Sequence, residues 1–370
     1  MQTFNLSANI ENGFAKGMQY IVTPNAQNVV NNLINGFKTG IHSYTIIGTY
    51  GTGKSSFLLA LEADLDKKNR SKYLLNPKLL SECTEFEILN IVGDYADLSV
   101  LLGRKLNMEG ASNSVLDELK AYYQRLAKEN KFLLLVIDEF GKVLEHAAKN
   151  NPEQELYFLQ KLAEFVNVPS RNILLITTLH QNFSSYAKSL NEEQRNEWTK
   201  VKGRFKELVF VEPVEQLLYL ASCQRRGVHT AIEDEDTFRE IFSLGQTTKF
   251  LKDTLSYSTA KQLYPLDPFA AYVMTQAIQR YGQNERSLFS FLAAKGKGSF
   301  SEFKPQKCMT YNLGIVYDYI IYNFYSTLKD VHFDSTSWSV IHSTIVRAEG
   351  LNIWASQREM CDAIELVKAV

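Results

Sequence analysis

The chain lacks the marks of several protein classes. Its four cysteines, Cys83, Cys223, Cys308 and Cys361, stand far apart and form no C-x-x-C pair, which argues against both a zinc site and a disulfide framework. An excess of one charge is missing too. Forty Lys and Arg face 41 Asp and Glu for a net charge of −1, so no overall basic field draws in nucleic acid or a membrane surface. A local basic groove is still compatible with that balance, and DNA is a partner the charge does not indicate. No apolar run approaches the length that spans a bilayer, and the opening Met1-Gln2-Thr3-Phe4-Asn5 has no signal-peptide pattern. Internal repeats and low-complexity segments are absent. These absences point to a globular chain of the reducing cytoplasm. Its 370 residues, 45% hydrophobic and 22% charged, suffice for two domains with real cores.

What is present is concentrated in one stretch. Gly48-Thr49-Tyr50-Gly51-Thr52-Gly53-Lys54-Ser55 fits the phosphate-loop pattern G-x-x-x-x-G-K-[ST] at every fixed position. Its glycines let the backbone close around an anion with consecutive N–H groups pointing inward. Lys54 is placed to reach the β- and γ-phosphates, and Ser55 to hold Mg²⁺ through its hydroxyl. Ser56 follows in the first turn of a helix whose positive end faces the triphosphate. The flanks agree: Tyr44-Thr45-Ile46-Ile47 has strand composition, and Phe57, Leu58, Ala60 and Leu61 recur at helical spacing.

The second informative run is Phe132-Leu133-Leu134-Leu135-Val136-Ile137-Asp138-Glu139, a continuous apolar strand ending in two carboxylates, as a parallel strand buried on both faces should read. Ligands of open α/β sheets collect at the carboxyl ends of strands, so Asp138 is expected to orient Mg²⁺ and Glu139 to polarise an attacking water. Other elements are expected as a helix capped by Thr23 with Pro24 first, a strand at 86–92 and a helix at 114–128. A further strand, 172–178, ends at Thr177 and Thr178, followed by Leu179, His180 and Gln181. A side chain there can bond the γ-phosphate or the lytic water; Thr178 is the choice, with Thr177 and His180 as alternatives. A polar helix over 191–204 leads to a fifth strand at 207–211. Arg204, with Lys202 and Lys206 as rivals, stands where an arginine of one subunit in oligomeric ATPases reaches the phosphate held by its neighbour.

After Pro213 the composition turns helical. Asp267 caps a helix with Pro268 at its first position, and Asn284 is expected to cap another with Leu288, Phe291 and Leu292 inward. That puts Arg286 in a first turn, where a cation opposes the helix dipole unless an anion such as nucleotide phosphate sits nearby. Aromatic-rich helices follow beyond residue 300, and the only candidate linker lies around Lys295 to Gly298. The expected layout is an α/β domain over 1–213, a helical lid over 214–299 and a helical extension over 300–370 whose last helix ends without an exit signal.

The loop at Gly48 to Ser55, the Asp138-Glu139 pair, the Thr177-Thr178 strand end, Arg204 and Arg286 together resemble the AAA+ ATPases in order and spacing, over about residues 20 to 295. One strand and one helix between the loop strand and the acidic strand, and a glutamate directly after the metal aspartate, look like the additional-strand catalytic-glutamate division of P-loop proteins. That resemblance implies a parallel five-stranded P-loop sheet of order 5-1-4-3-2 flanked by helices and followed by an α-helical lid. The Gly282 to Arg286 segment is similar to the sensor 2 region of origin-recognition and STAND-like members, and the whole to ATPases of bacterial defence loci. The family implies ATP with Mg²⁺, Lys54 on phosphate, Glu139 activating water, Thr178 as sensor 1, Arg204 as finger and Arg286 as sensor 2. It implies a self-assembling ATPase that remodels or switches a protein effector, with phage defence as one setting. A regulatory module read through ATP or ADP occupancy and a DNA-loading ATPase are the alternatives.

Overall fold

Alternate residues of the apolar run 132–137 enter two different cores. Leu133, Leu135 and Ile137 belong to one, and Phe132, Leu134 and Val136 to the other. Successive strand residues point to opposite faces, so both faces of this sheet are covered and the run needs no polar alternation. The computed structural model describes all residues except 1–9, 14–19, 67–72, 84, 109–111, 151, 189, 226–230, 282–286, 297, 306–308, 331–334 and 352. It divides into two compact units, Met1–Val211 and Glu212–Val370.

The first unit runs α1 (Pro24–Lys38), β1 (Ser43–Ile47), α2 (Lys54–Leu65), α3 (Pro77–Leu80), β2 (Glu85–Val92), α4 (Leu98–Lys105), α5 (Ser112–Lys128), β3 (Lys131–Asp138), α6 (Phe140–Lys149), α7 (Pro152–Val166), β4 (Ile173–Leu179), α8 (Glu192–Lys202) and β5 (Lys206–Val209). Its strands form one parallel sheet of order β2-β3-β4-β1-β5, the 5-1-4-3-2 order that the resemblance implies. α1 and α2 contribute to the core on one face; α4 to α8 contribute to the core on the other. α1 starts as its sequence dictates: Thr23 Oγ1 accepts from the Ala26 N–H at 3.1 Å and Pro24 opens the first turn.

Register decides what meets at the carboxyl edge. Ile47 pairs with Leu179 and Val209, and Ile137 pairs with Thr177. The segments following β1 and β3 therefore emerge beside the end of β4. Two expectations are corrected here. β3 ends at Asp138 and Glu139 lies just outside it, in a left-handed conformation that a strand excludes. Between α2 and β3 the chain forms one strand, as expected, but three helices, α3, α4 and α5, rather than one.

The second unit contains α9 (Val214–Gln224), α10 (Glu235–Thr247), α11 (Tyr257–Leu263), α12 (Pro268–Tyr281), α13 (Leu288–Ala293), α14 (Leu313–Asp330), α15 (Ser335–Glu349) and α16 (Gln357–Ala369). Asp267 caps α12 as expected, its Oδ1 accepting from the N–H groups of Phe269 and Ala270. α13 differs. It begins at Leu288 with Ser287 as cap, where Ser287 and Ser290 satisfy each other's backbone N–H groups; Asn284, the expected cap, lies outside the described residues. Phe291 and Phe300 each meet Tyr311 edge-on in a shared core, which joins both flanks of the stretch around Lys295 to Gly298. Among the described residues, no helix is long and apolar enough to cross a membrane.

Candidate nucleotide site

The turn after β1 is tight for a reason readable at two glycines. A Cβ on Gly48 would lie 2.2 Å from the Phe210 carbonyl oxygen, so no side chain fits where the loop leaves the sheet. Gly53 adopts φ +91°, a left-handed conformation, directly before α2 begins at Lys54. Lys54 folds back over this turn. Its ammonium donates to the carbonyls of Gly48 at 2.5 Å and Thr49 at 2.9 Å. Burial pushes the Lys54 pKa down to about 8, while Asp138 and Glu139 pull it up. A cation so desolvated gains from the arrival of an anion.

The loop and the acidic strand meet. Ser55 Oγ donates to Asp138 Oδ2 at 2.7 Å, and the Thr178 hydroxyl donates to Asp138 Oδ1 at 2.5 Å. The Glu139 N–H is shared between Asp138 Oδ1 and Thr178 Oγ1, each at 3.0 Å. Two elements distant in sequence, the end of the loop and β4, thus converge on one buried carboxylate of β3. A serine hydroxyl beside a carboxylate is an all-oxygen donor pair, which suits Mg²⁺ because that ion takes one or two protein ligands and keeps several waters. The residues present therefore fit the metal that the phosphate loop implies.

Glu139 itself is held in an unusual backbone state, φ +53° and ψ 33°, which for a non-glycine residue is sparsely populated. The consequence is directional. Its peptide turns sharply off β3, and its carboxylate meets Lys142 Nζ at 2.5 Å on the first turn of α6, with both side chains about half exposed. Gly93, next after β2, supports that peptide: its N–H donates to the Asp138 carbonyl at 2.7 Å, and a Cβ there would lie 2.3 Å from the Glu139 carbonyl oxygen.

The three polar residues around the end of β4 have separate surroundings. Thr178 faces Asp138 and the Glu139 backbone, as described. Thr177 pairs with the Thr45 hydroxyl at 2.9 Å within the buried sheet. His180 stacks on Tyr50 of the loop. Behind the site, Glu62 of α2 accepts from Asn90 Nδ2 at 2.9 Å, and burial raises its pKa to about 7. Gly93, Lys142 and the Tyr50–His180 contact escaped the sequence reading, since no local pattern marks them.

Arg204 is elsewhere. Its carbonyl accepts from Ser43 Oγ at 2.6 Å, at the opening of β1, whereas the phosphate loop follows the strand's close. A strand of this length separates the two by roughly 15 Å, beyond the reach of an arginine into its own loop. The guanidinium instead pairs with Glu164 at 2.9 Å, with each side chain 35% exposed. Arg286 lies outside the described residues.

No protein-family model and no curated protein matches the sequence. Among solved structures the chain is similar to the Aeropyrum pernix ORC2 protein in ADPNP–ADP complexes, with 16% identity, 66% of this chain and 70% of that one covered, and a TM-score of 0.38. It is also similar to C. elegans PCH-2, at 15% identity with 79% and 66% covered and a TM-score of 0.38. For Drosophila ORC bound to DNA the identity is 13%, the coverage 76% and 64%, and the TM-score 0.37. The chain thus spans slightly less than two thirds of the last two.

Proposed function

We propose that the chain is an AAA+ type ATPase that binds Mg·ATP at the phosphate loop, hydrolyses it with Glu139 as the base, and acts as an assembly of identical subunits on a protein effector. The observation that supports it is the convergence of Ser55, Thr178 and the Glu139 N–H on Asp138. That convergence joins the end of the loop, the proposed metal carboxylate and the backbone of the proposed base in one hydrogen-bonded cluster. Lys54, already beside the loop carbonyls, donates to β- and γ-phosphate oxygens. Ser55 and Asp138 hold Mg²⁺, which when bound neutralises phosphate charge. Glu139 takes a proton from the water whose oxygen bonds to the γ-phosphorus as the bond to ADP breaks. Thr178 ties the base's peptide to the metal carboxylate, a natural sensor of what the site holds.

Arg204 faces away from its own loop, which favours action on a neighbouring subunit's phosphate and so favours self-assembly. The resemblance gives Arg286 of the second unit a phosphate-sensing role and offers phage defence as a cellular setting. Steady-state phosphate release tests the core of this reading. Glu139→Gln retains Mg·ATP and stops turnover, and Lys54→Ala loses nucleotide. Unchanged release by Glu139→Gln would remove Glu139 from the mechanism, and tight ATP binding by Lys54→Ala would refute the loop assignment.

A further inference from the structure

Tyr50 occupies a variable position of the phosphate loop, and the motif assigns it nothing. Its ring stacks on His180 with centroids 4.6 Å apart and planes at 21°, and its hydroxyl lies 3.2 Å from His180 Nδ1. The buried Tyr186 packs edge-on against the same imidazole, with centroids 5.5 Å apart, and brings its hydroxyl to 3.0 Å from the same nitrogen. Room for this comes from Gly141 in the first turn of α6. A Cβ there would lie 2.4 Å from the Tyr186 hydroxyl and 3.2 Å from His180 Cε1. The imidazole is thus fixed by buried neighbours, while the Tyr50 ring on its outer face is 38% exposed.

Between its ends, where the Gly48 N–H donates to the Leu179 carbonyl and Ser55 to Asp138, the loop gains from such a fixture. Thr52 Oγ1 donates to the Thr49 carbonyl and Lys54 donates to Gly48 and Thr49, contacts that bond the loop to itself. Tyr50 bonds it to the residue that follows β4. Glycine-rich segments lose the most freedom on ordering, and a ligand that must order its own loop binds more weakly for it. We infer that Tyr50 and His180 form a positioning pair, in which the stacked rings hold the phosphate loop in its receiving conformation before nucleotide arrives, with Tyr186 and Gly141 holding the imidazole. The inference rests on the nucleotide reading above.

A double-mutant cycle tests it, with calorimetric Kd values for Mg·ATP on the full chain and thermal melts run in parallel. Tyr50→Ala and His180→Ala each weaken binding by about fivefold, the size of one aromatic pair, and the double variant is no weaker than either single one. The loss falls mainly on KM rather than kcat. Tyr50→Phe, which keeps the stack, recovers most of it. Should His180→Ala fail to fold, the comparison of Tyr50→Ala with Tyr50→Phe decides alone, because the Tyr50 ring is partly exposed. Wild-type binding matched by both alanine variants, strictly additive losses, or a Tyr50→Phe as weak as Tyr50→Ala would overturn the pair alone. No Mg·ATP binding by the wild type would overturn the nucleotide reading and the pair with it.

Discussion

Gly93 carries no side chain, yet its replacement by alanine probes the placement of Glu139 without touching the carboxylate proposed as the base. The added Cβ would lie 2.3 Å from the Glu139 carbonyl oxygen, 2.8 Å from its carbonyl carbon and 3.1 Å from the Asp138 carbonyl oxygen. All three are backbone atoms, so no flexible side chain can swing aside. Restoring ordinary contact asks the Glu139 peptide to give by about 1 Å, and a shift of that size in a positioned catalytic group costs about 10²-fold in turnover. The Gly93 N–H bond to the Asp138 carbonyl, 2.7 Å, stretches with it. The phosphate loop is untouched, so the loss falls on kcat. Overpacking of this kind also costs about 1–3 kcal/mol of stability, which a thermal melt reads separately.

Gly203→Ala is the control. A Cβ there meets only the carbonyls of Lys200 and Thr199, at 3.5 and 3.6 Å, and its backbone at φ −62° suits any residue. Its expected effect is a gain of about 0.4–1 kcal/mol from a less flexible unfolded chain. Phosphate release and calorimetry on both variants decide the matter. A folded Gly93→Ala protein turning over within twofold of wild type would refute the claim that Gly93 holds the proposed base in place.

Two further outcomes are expected. Arg204→Ala lowers turnover per subunit by about 10³-fold while leaving the melting temperature nearly unchanged, because the exposed pair with Glu164 contributes at most about 1 kcal/mol. Turnover independent of both protein concentration and Arg204 would point to a monomer. His42 is fully buried and stacked on Phe37 at 4.1 Å, and burial lowers its pKa below the usual 6.5, with the Phe37 and Val166 carbonyls pulling the other way. The unfolded chain then binds the proton more readily, so this contribution is complete above pH 6.5 and falls as the pH drops below it, by about 1.4 kcal/mol per unit of depression. Melts of wild type and His42→Phe from pH 7.5 to 5 check this. Parallel curves would show that His42 is not the cause.

The parts of this molecule legible in its sequence are those where one local pattern has one physical solution. A glycine-rich turn between a strand and a helix closes in one way, and an apolar run too long to alternate must be a strand covered on both faces. Hence the loop and the Asp138 edge follow from local pattern alone, whereas the sheet order is implied only by the resemblance to the AAA+ ATPases. Where local chemistry offers two solutions, tertiary contact chooses. Ser287 caps α13 because Ser290 three residues on returns its hydrogen bond, a reciprocity that capping propensity alone does not single out. Thr177 and Thr178 are both good strand formers, but side chains alternate, so only one can face Asp138; the register of β4 against β3 gives that place to Thr178. Glu139 reads as the last residue of a strand because strand propensity ignores what stands beside it. Its left-handed turn exists because Gly93, which local sequence marks only as a turn former, lets the two backbones approach. The contact between Tyr50 and His180 spans 130 residues and joins a variable loop position to the residue after a strand, so no window of sequence contains it. A site of this kind announces its chemistry through motifs, while the groups that hold the chemistry in register are distributed over the fold and become visible only when the fold has formed.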